Sequence, residues 1–279
     1  MSKYYCLIAG LPDITIDDNK LSYTVKEFRA ELSETLSNND KKLIDLFYMQ
    51  FDHKNLLAML TKQEGKFDNR GLYTSEQLEE IIALVKENET PSDKKYPSYF
   101  YVFTAAYLQD KPLIDNMSWE DQLNSLYYEY AGNSSNRFVS DWFKLNLNLN
   151  NMLTAIICRK YNREVGNAII GNSEISETIR QSGQRDMGLT GMVDYLDTIL
   201  RISEENNLYE RERKLDQFRW NWLEEYSFFH YFTIERIFAY LIKLDILERW
   251  VSMTPENGRA IFKEMIDFLK KGIEIPSDF

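Results

Sequence analysis

The sequence predicts an all-α protein, and three observations lead to this prediction. Only 11 Gly and 6 Pro occur in 279 residues, too few for the many turns of a β-sandwich or barrel. Apolar residues recur three and four positions apart through most of the chain, as they do on the buried face of a helix. Short polar residues that cap helices precede many of these stretches. We therefore expect long helices joined by few connections.

The apolar N-terminal stretch, residues 4–16, is the first segment to assign. It reads YYCLIAGLPDITI, is rich in β-forming residues and is interrupted by Pro12. We predict a short extended segment or strand that docks on the helices. Because the stretch has neither a full-length hydrophobic region nor a small-residue cleavage site, we also expect a cytoplasmic protein.

The predicted helices follow in order, and several of them begin with a cap. Thr24 and Glu27 form a capping box for the first helix, and Asn39 with Asp40 are predicted to cap the second. A polar segment with two prolines, 87–97, is the best candidate for an exposed connection. Further helices are predicted over 74–85, 99–108, 118–132, 138–161, 192–202, 208–229, 232–250 and 254–272.

The composition argues against several classes of function. A net charge of -11 and a pI near 4.9 disfavour generic binding to nucleic acid or to anionic lipid surfaces. The longest apolar stretch, 99–108, is about half of the 20 residues that span a bilayer, so we expect no direct membrane insertion. Cys6 and Cys158, the two cysteines, suit reduced thiols in a cytoplasm better than a disulfide.

The sequence contains no motif that carries a known chemistry. His53 and His230, the two histidines, lie in neither an HExxH motif nor a cysteine cluster. No glycine-rich phosphate loop is present. We therefore predict no catalytic residue, no cofactor and no metal, and we do not expect an enzyme. Several aromatic residues of the C-terminal third are predicted to serve the core and interfaces: Trp220, Trp222, Phe228, Phe229 and Tyr231.

A short motif occurs twice in the chain. Asp52 and Asn55 are followed by Leu-Leu, and Asn148 and Asn151 are followed by Met-Leu about 96 residues later. Short polar side chains at such positions hydrogen-bond free backbone groups or a neighbouring helix end, so we interpret the motif as a packing device. The alternative is that two Asn-rich helix starts coincide by chance.

A third motif lies in the most apolar predicted helix, where Glu235 is followed by Ala239, Tyr240 and Leu241. Together the three motifs resemble the repeats of the C subunit of V-type and A-type ATP synthases, whose counterpart in vacuolar enzymes is the d subunit. Asn148 stands where that family has Asp. In this respect the chain resembles a divergent bacterial branch of proteins found with V-type ATP synthases.

The resemblance implies a funnel-like body of three related helical bundles in a single all-helical chain, 1–279. The approximate repeats are 24–110, 111–190 and 191–272. The implied function is that of a noncatalytic central-stalk subunit, which couples the membrane rotor ring to the central shaft during proton or sodium transport. The implied partners are the ring and shaft subunits of a rotary ATPase. The implied location is cytoplasmic, peripheral to the inner membrane through those subunits.

Two other functions stay open at this point. An all-helical adaptor or scaffold unrelated to the rotor has the same kind of composition, and so does an all-helical enzyme. The role of Glu235 is open as well, because it either lies at the exposed edge of its helix or pairs with a base such as Arg219 or Arg236.

Overall fold

The computed structural model describes residues 4–62, 67–87 and 95–254, with a few isolated positions between 258 and 266. This described part forms eleven α-helices and one 3-10 turn, and it contains no strand. The all-α prediction is therefore confirmed. None of the described helices is both long and apolar enough to span a membrane. The helices are α1 (Tyr5–Gly10), α2 (Val25–Thr35), α3 (Asn38–Thr61), α4 (Ser75–Lys86), α5 (Ser98–Leu108), α6 (Trp119–Gly132), α7 (Arg137–Lys160), α8 (Glu174–Gln181), α9 (Leu196–Ser203), α10 (Leu208–Ser227) and α11 (Ile234–Ser252).

The chain divides into two compact units. Unit 1 consists of Met1–Leu36 and Asp216–Phe279, and unit 2 consists of Ser37–Leu215. Unit 1 therefore contains α1, α2, α11 and the C-terminal part of α10, whereas unit 2 contains α3 to α9 and the beginning of α10. The funnel of three bundles, with its three approximate repeats, stays a prediction.

The predicted N-terminal extended segment or strand is wrong for residues 5–10, which form α1. Extended backbone begins only at Leu11, whose ψ angle is 135°. Leu11 precedes Pro12, and a residue before proline is disfavoured in helical conformation, so the helix ends there. Tyr4 and Leu7 are buried. Tertiary packing of this apolar face overrides the β-forming tendency of the sequence.

Helix starts follow the predicted caps with one exception. The side chains of Thr24 and Thr74 each accept the backbone N–H three residues on and complete a capping box. Helix α3 begins with Ser37 as its cap, and the Ser37 hydroxyl oxygen accepts the N–H of Asp40 at 3.3 Å. Asn39, which we expected to share the cap with Asp40, lies inside the first turn.

Helix α7 is the central element of unit 2. It packs against α6, α8 and α9, and α6 in turn packs against α3 and α5. Leu149 and Met152 on α7 are fully buried, as are Phe100 and Phe103 on α5. The two longest helices of the described chain, α3 and α7, therefore both pack against α6.

Helix α11 is the most extensively buried element of unit 1, and it packs against α2. The ring centroid of Phe28 on α2 lies 5.1 Å from that of Tyr240 on α11 in an edge-to-face arrangement. The backbone N–H of Val25 donates to Glu248 at 2.7 Å, which ties the first turn of α2 to α11. This helix is covered on two faces, because the apolar residues of both faces are buried: Ile234, Ile237, Phe238, Leu241 and Leu244, and Ala239, Ile242 and Ile246.

Two predicted features lie outside the described residues. The helix predicted over 254–272 falls almost entirely there, and so does most of the connection predicted over 87–97.

Candidate functional site

The two asparagines of the repeated motif make the same pair of contacts. The Asn55 side chain donates to the carbonyl of Asp68 at 2.9 Å and accepts the N–H of Asp68 at 2.8 Å. Asn151 donates to the carbonyl of Ile170 at 2.8 Å and accepts the N–H of Ile170 at 3.1 Å. A side-chain amide can pair with the backbone of one residue in this way because it carries both a donor and an acceptor. We call each arrangement an asparagine clamp.

Each asparagine clamp holds a loop to a long helix. The first joins α3 to the loop that precedes α4, and the second joins α7 to the loop that precedes α8. Asn55 and Asn151 are both buried, and Asn151 also donates to the Ser176 hydroxyl at 3.1 Å. The clamps satisfy loop N–H and C=O groups that would otherwise lose their hydrogen bonds to water on burial.

The first residues of the two motifs have different contacts. Asp52 is fully buried, and its carboxylate accepts the backbone N–H groups of Leu72 and Tyr73 at 2.9 Å and 3.1 Å. Asn148 instead donates to the hydroxyl of Tyr195, just before α9, at 3.2 Å. The Asp52 carboxylate accepts backbone N–H groups just before α4, whereas the Asn148 amide donates to a side-chain hydroxyl. This difference accompanies the exchange of Asp for Asn between the two motifs.

Removal of one clamp has an expected cost. We expect Asn55→Leu to lower the free energy of unfolding of unit 2 by about 1–2 kcal/mol, because the partly buried backbone of Asp68 then lacks its partners. The matched control is Asn39→Leu, the same substitution at an exposed position of the same helix, which should change stability by less than about 0.5 kcal/mol. Urea unfolding measures both values. Equal midpoints for the two variants would contradict the assigned role of the clamp.

His53, next to Asp52, sits in an aromatic cage. Its ring is 5% exposed and is contacted edge to face by Tyr99, Phe100 and Tyr127. The Nε2 atom lies 2.6 Å from the Tyr99 hydroxyl. Burial lowers the pKa of His53 to about 3, because a charged imidazole cannot be solvated inside the cage. His53 is therefore neutral in the folded protein at physiological pH.

The third motif places its four residues on α11 of unit 1. Ala239 and Leu241 are buried core residues. The Tyr240 hydroxyl donates to the carbonyl of Pro12 at 3.0 Å, and burial raises the pKa of this phenol to about 12. Glu235 lies with one carboxylate oxygen 3.7 Å from Nδ1 of His230. The motif thus ties α11 to the segment that follows α1.

The burial of one acidic residue was not predicted from the sequence. Asp216 on α10 is 1% exposed and accepts hydrogen bonds from Arg219 at 3.1 Å, from Trp250 at 2.8 Å and from Arg249. Arg219, which we considered as a partner of Glu235, binds this carboxylate. The network joins α10 to the end of α11. The only sequence pattern that could have indicated this buried network is the position of Asp216 next to Leu215, an apolar residue of an amphipathic helix.

A buried lysine was missed as well. Lys243 donates to Glu224 at 2.9 Å, and its ammonium group lies 4.6 Å from the centre of the Trp220 ring. Burial lowers the pKa of Lys243, while the hydrogen bond to Glu224 opposes that shift. A sequence signal exists, since Lys243 lies four residues from both Ala239 and Leu247 on the apolar face of α11.

Several charged side chains that line two adjoining clefts of unit 2 have partners in the chain. A cleft of about 560 Å³ adjoins one of about 360 Å³, and Arg185 and Glu204, which pair with each other, line both. Arg159 in the smaller cleft donates to the carbonyls of Ser182 and Gln184. Among the described residues, no group of three His, Cys, Asp or Glu side chains could hold a metal ion.

The helices and the clamps define an all-α protein in which buried polar side chains fasten loops to long helices. The sequence matches a family model described as a protein of unknown function, DUF2764, over residues 1–273, and the chain belongs to that family. Comparison with curated proteins and with solved structures finds no match. The family assignment therefore carries no activity with it, and function has to be argued from the contacts above.

Proposed function

We propose that this chain is a noncatalytic central-stalk subunit of a V-type ATP synthase or ATPase, which couples the membrane rotor ring to the central shaft. The observation that supports the proposal most is the repeated asparagine clamp. Asn55 and Asn151 occupy corresponding positions in the first and second of the repeats by which this chain resembles the central-stalk family. Their side chains make the same two hydrogen bonds. The alternative placed both motifs at helix starts, whereas Asn55 and Asn151 lie inside α3 and α7. A match by chance would give no reason for these shared contacts.

The contacts of the two long helices suit a mechanical role. Helices α3 and α7 each contain 24 residues, which corresponds to a length of about 36 Å. Each carries an asparagine clamp, and both pack on α6. Closely packed interiors have low compressibility and transmit strain, and a subunit that passes torque between partners needs this property.

The second candidate is an all-helical adaptor or scaffold unrelated to the rotor. The observation that favours it is the exposure of large aromatic side chains after α10, since Phe229 is 81% exposed and Phe228 is 61% exposed. Exposed apolar surface of this kind is typical of protein interaction sites in general. The clefts give less support to an all-helical enzyme, because Arg159, Arg185 and Glu204 in them are bound to other groups of the chain itself.

The rotor proposal is tested by assembly. The tagged chain is expressed with every subunit of a rotary ATPase from the same source, and intact complex is purified through a catalytic subunit. We expect the chain to be present at a fixed ratio and to stay with the ring and shaft when the catalytic head is dissociated. An active complex that never contains the chain would overturn the proposal, and stable recovery with an unrelated protein would favour the adaptor.

A further inference from the structure

Four aromatic side chains are more than half exposed where α10 ends and α11 is about to begin. They are Tyr226, Phe228, Phe229 and Tyr231, with exposures of 52%, 61%, 81% and 61%, and we call them the aromatic turn. At about 200 Å² for each side chain, they expose on the order of 500 Å² of mostly apolar surface. The rings of Phe228 and Phe229 are in contact, with centroids 5.0 Å apart, and exposed apolar patches on monomeric proteins are often functional.

The backbone of the aromatic turn is held in place by hydrogen bonds. The N–H of His230 donates to the carbonyl of Ser227 at 2.9 Å, and the hydroxyl of buried Ser227 accepts from Arg236 at 3.2 Å. The ring of Tyr226 stacks on Trp222 at a centroid distance of 4.4 Å. The exposed rings therefore project from an ordered support, which reduces the entropy cost of binding a partner.

The charges beside the aromatic turn are predominantly negative at the surface. Glu224 and Glu225 precede it directly and are exposed, but Glu224 is paired with Lys243 at 2.9 Å, so the exposed negative charge is mainly that of Glu225. The nearby cations are less accessible, because Lys243 is buried and Arg236 is partly buried against Ser227. The whole chain carries a net charge of -11. A cationic partner is therefore attracted to this surface, and an anionic one is repelled.

This charge distribution discriminates between the possible occupants. An anionic membrane surface would have to approach exposed Glu225 on a chain of net charge -11, which is unfavourable. A second copy of the chain would bring two acidic surfaces together, with the same electrostatic cost. A Lys- or Arg-rich segment, in contrast, can place its cations over the exposed ring faces and beside Glu225, while its own apolar residues cover Phe228 and Phe229.

We propose that the aromatic turn is the docking surface for a cationic, amphipathic segment of a partner protein. The inference rests on the proposed function in one respect, because we look for that partner first among the ring and shaft subunits of a rotary ATPase. It also extends that function, since it assigns the contact to one surface of unit 1 and defines the chemistry of the partner.

The first experiment measures binding of purified full-length variants to detergent-solubilised rotary ATPase depleted of this chain. We expect Phe229→Ser to weaken binding about tenfold or more. The matched control is Leu208→Ser, which removes an apolar side chain that is 61% exposed at the start of α10 and should leave binding unchanged. Wild-type affinity for Phe229→Ser would overturn the inference.

The second experiment tests the sign of the charge. Glu225→Lys and Glu210→Lys change the net charge of the chain equally, and both glutamates are exposed on α10. We expect Glu225→Lys to weaken binding several-fold and to reduce its dependence on salt, with little effect from Glu210→Lys. Equal effects of the two variants would show that only the overall charge matters and would contradict a local docking surface.

The third experiment identifies the occupant directly. Phe229 is replaced by the photocrosslinking residue p-benzoylphenylalanine in the producing cells, and the crosslinked peptide is sequenced by mass spectrometry. A Lys- or Arg-rich segment of another protein supports the inference. Crosslinks to a second copy or to residues 255–279 of the same chain overturn it. So does stronger binding of the wild type than of Phe229→Ser to phosphatidylcholine–phosphatidylglycerol vesicles.

These outcomes separate the docking surface from the proposed function. If the wild-type chain joins the rotary complex and Phe229→Ser joins it equally well, the docking inference fails and the rotor function stands. If the chain never joins that complex but position 229 crosslinks to a cationic segment of a different protein, the rotor function fails and the docking inference stands.

Discussion

Replacement of Gly71 by Ala is expected to lower the free energy of unfolding of unit 2 by about 2–4 kcal/mol. A Cβ atom at position 71 would lie 2.1 Å from Oδ1 and 2.9 Å from Cγ of Asp52, so either the loop or the carboxylate must shift. The carboxylate is fully buried and accepts the N–H groups of Leu72 and Tyr73. A shift of either group therefore breaks hydrogen bonds that water cannot replace.

Two controls make the Gly71 prediction specific. Gly183→Ala introduces a Cβ with no atom within 4 Å, so it should change stability by less than about 0.5 kcal/mol. In a double-mutant cycle, Asp52→Ala removes the atoms that the new Cβ meets, and the double variant should lose less stability than the sum of the single variants. Urea unfolding followed by circular dichroism gives all four values. A wild-type midpoint for Gly71→Ala would show that Asp52 is not packed against this glycine.

Local signals predicted most of the helices, because caps and apolar periodicity act within a few residues. The capping box at Thr74 and the apolar faces of α11 are both present as expected. The N-terminal segment does not have its predicted extended conformation over residues 5–10. Its β-forming residues give only a weak preference for extended backbone, and the burial of Leu7 in a short helix outweighs that preference. Where packing competes with a weak local preference, the sequence pattern alone does not decide.

The sequence predicted the kind of contact that the candidate site makes, but not which residues are in contact. The residue types at Asn55 and Asn151 predicted hydrogen bonds to backbone, since a short amide side chain carries both a donor and an acceptor. The loop residues that they hold, Asp68 and Ile170, are 13 and 19 positions away, and no periodicity specifies such distances. The hydrogen bond from Trp250 to Asp216 joins residues 34 positions apart, and no periodicity specifies this separation either. Contacts of this kind arise from tertiary packing, which local patterns do not encode.

The acid stability of unit 2 is expected to depend strongly on His53. In the unfolded chain an imidazole has a pKa of about 6.5, whereas burial lowers the pKa of His53 to about 3 in the folded protein. Between these values the unfolded state binds the proton and the folded state does not, so acid favours unfolding. The contribution of neutral His53 is complete above pH 6.5 and is lost as the pH falls. The loss is about 1.4 kcal/mol per pH unit, or about 2–3 kcal/mol at pH 4.5.

The variant His53→Gln isolates this contribution from that of the acidic residues. Glutamine stays neutral at every pH and can keep a hydrogen bond to the Tyr99 hydroxyl, which lies 2.6 Å from Nε2 of His53. We expect His53→Gln to be less stable than the wild type at pH 7.5, because it fits the aromatic cage less well. Between pH 6.5 and 4.5 its unfolding free energy should fall less steeply than that of the wild type, so that the two curves converge.

The control is the other histidine, because the chain contains only two. The side chain of His230 is 39% exposed, whereas His53 is buried. We therefore expect the unfolding free energy of His230→Gln to fall with decreasing pH by about as much as that of the wild type. With two histidines, nuclear magnetic resonance can follow each ring directly, and the His53 signals should not titrate above pH 4. Titration of His53 near pH 6.5 in the folded protein would mean that the cage admits water, and the expected acid sensitivity would then disappear.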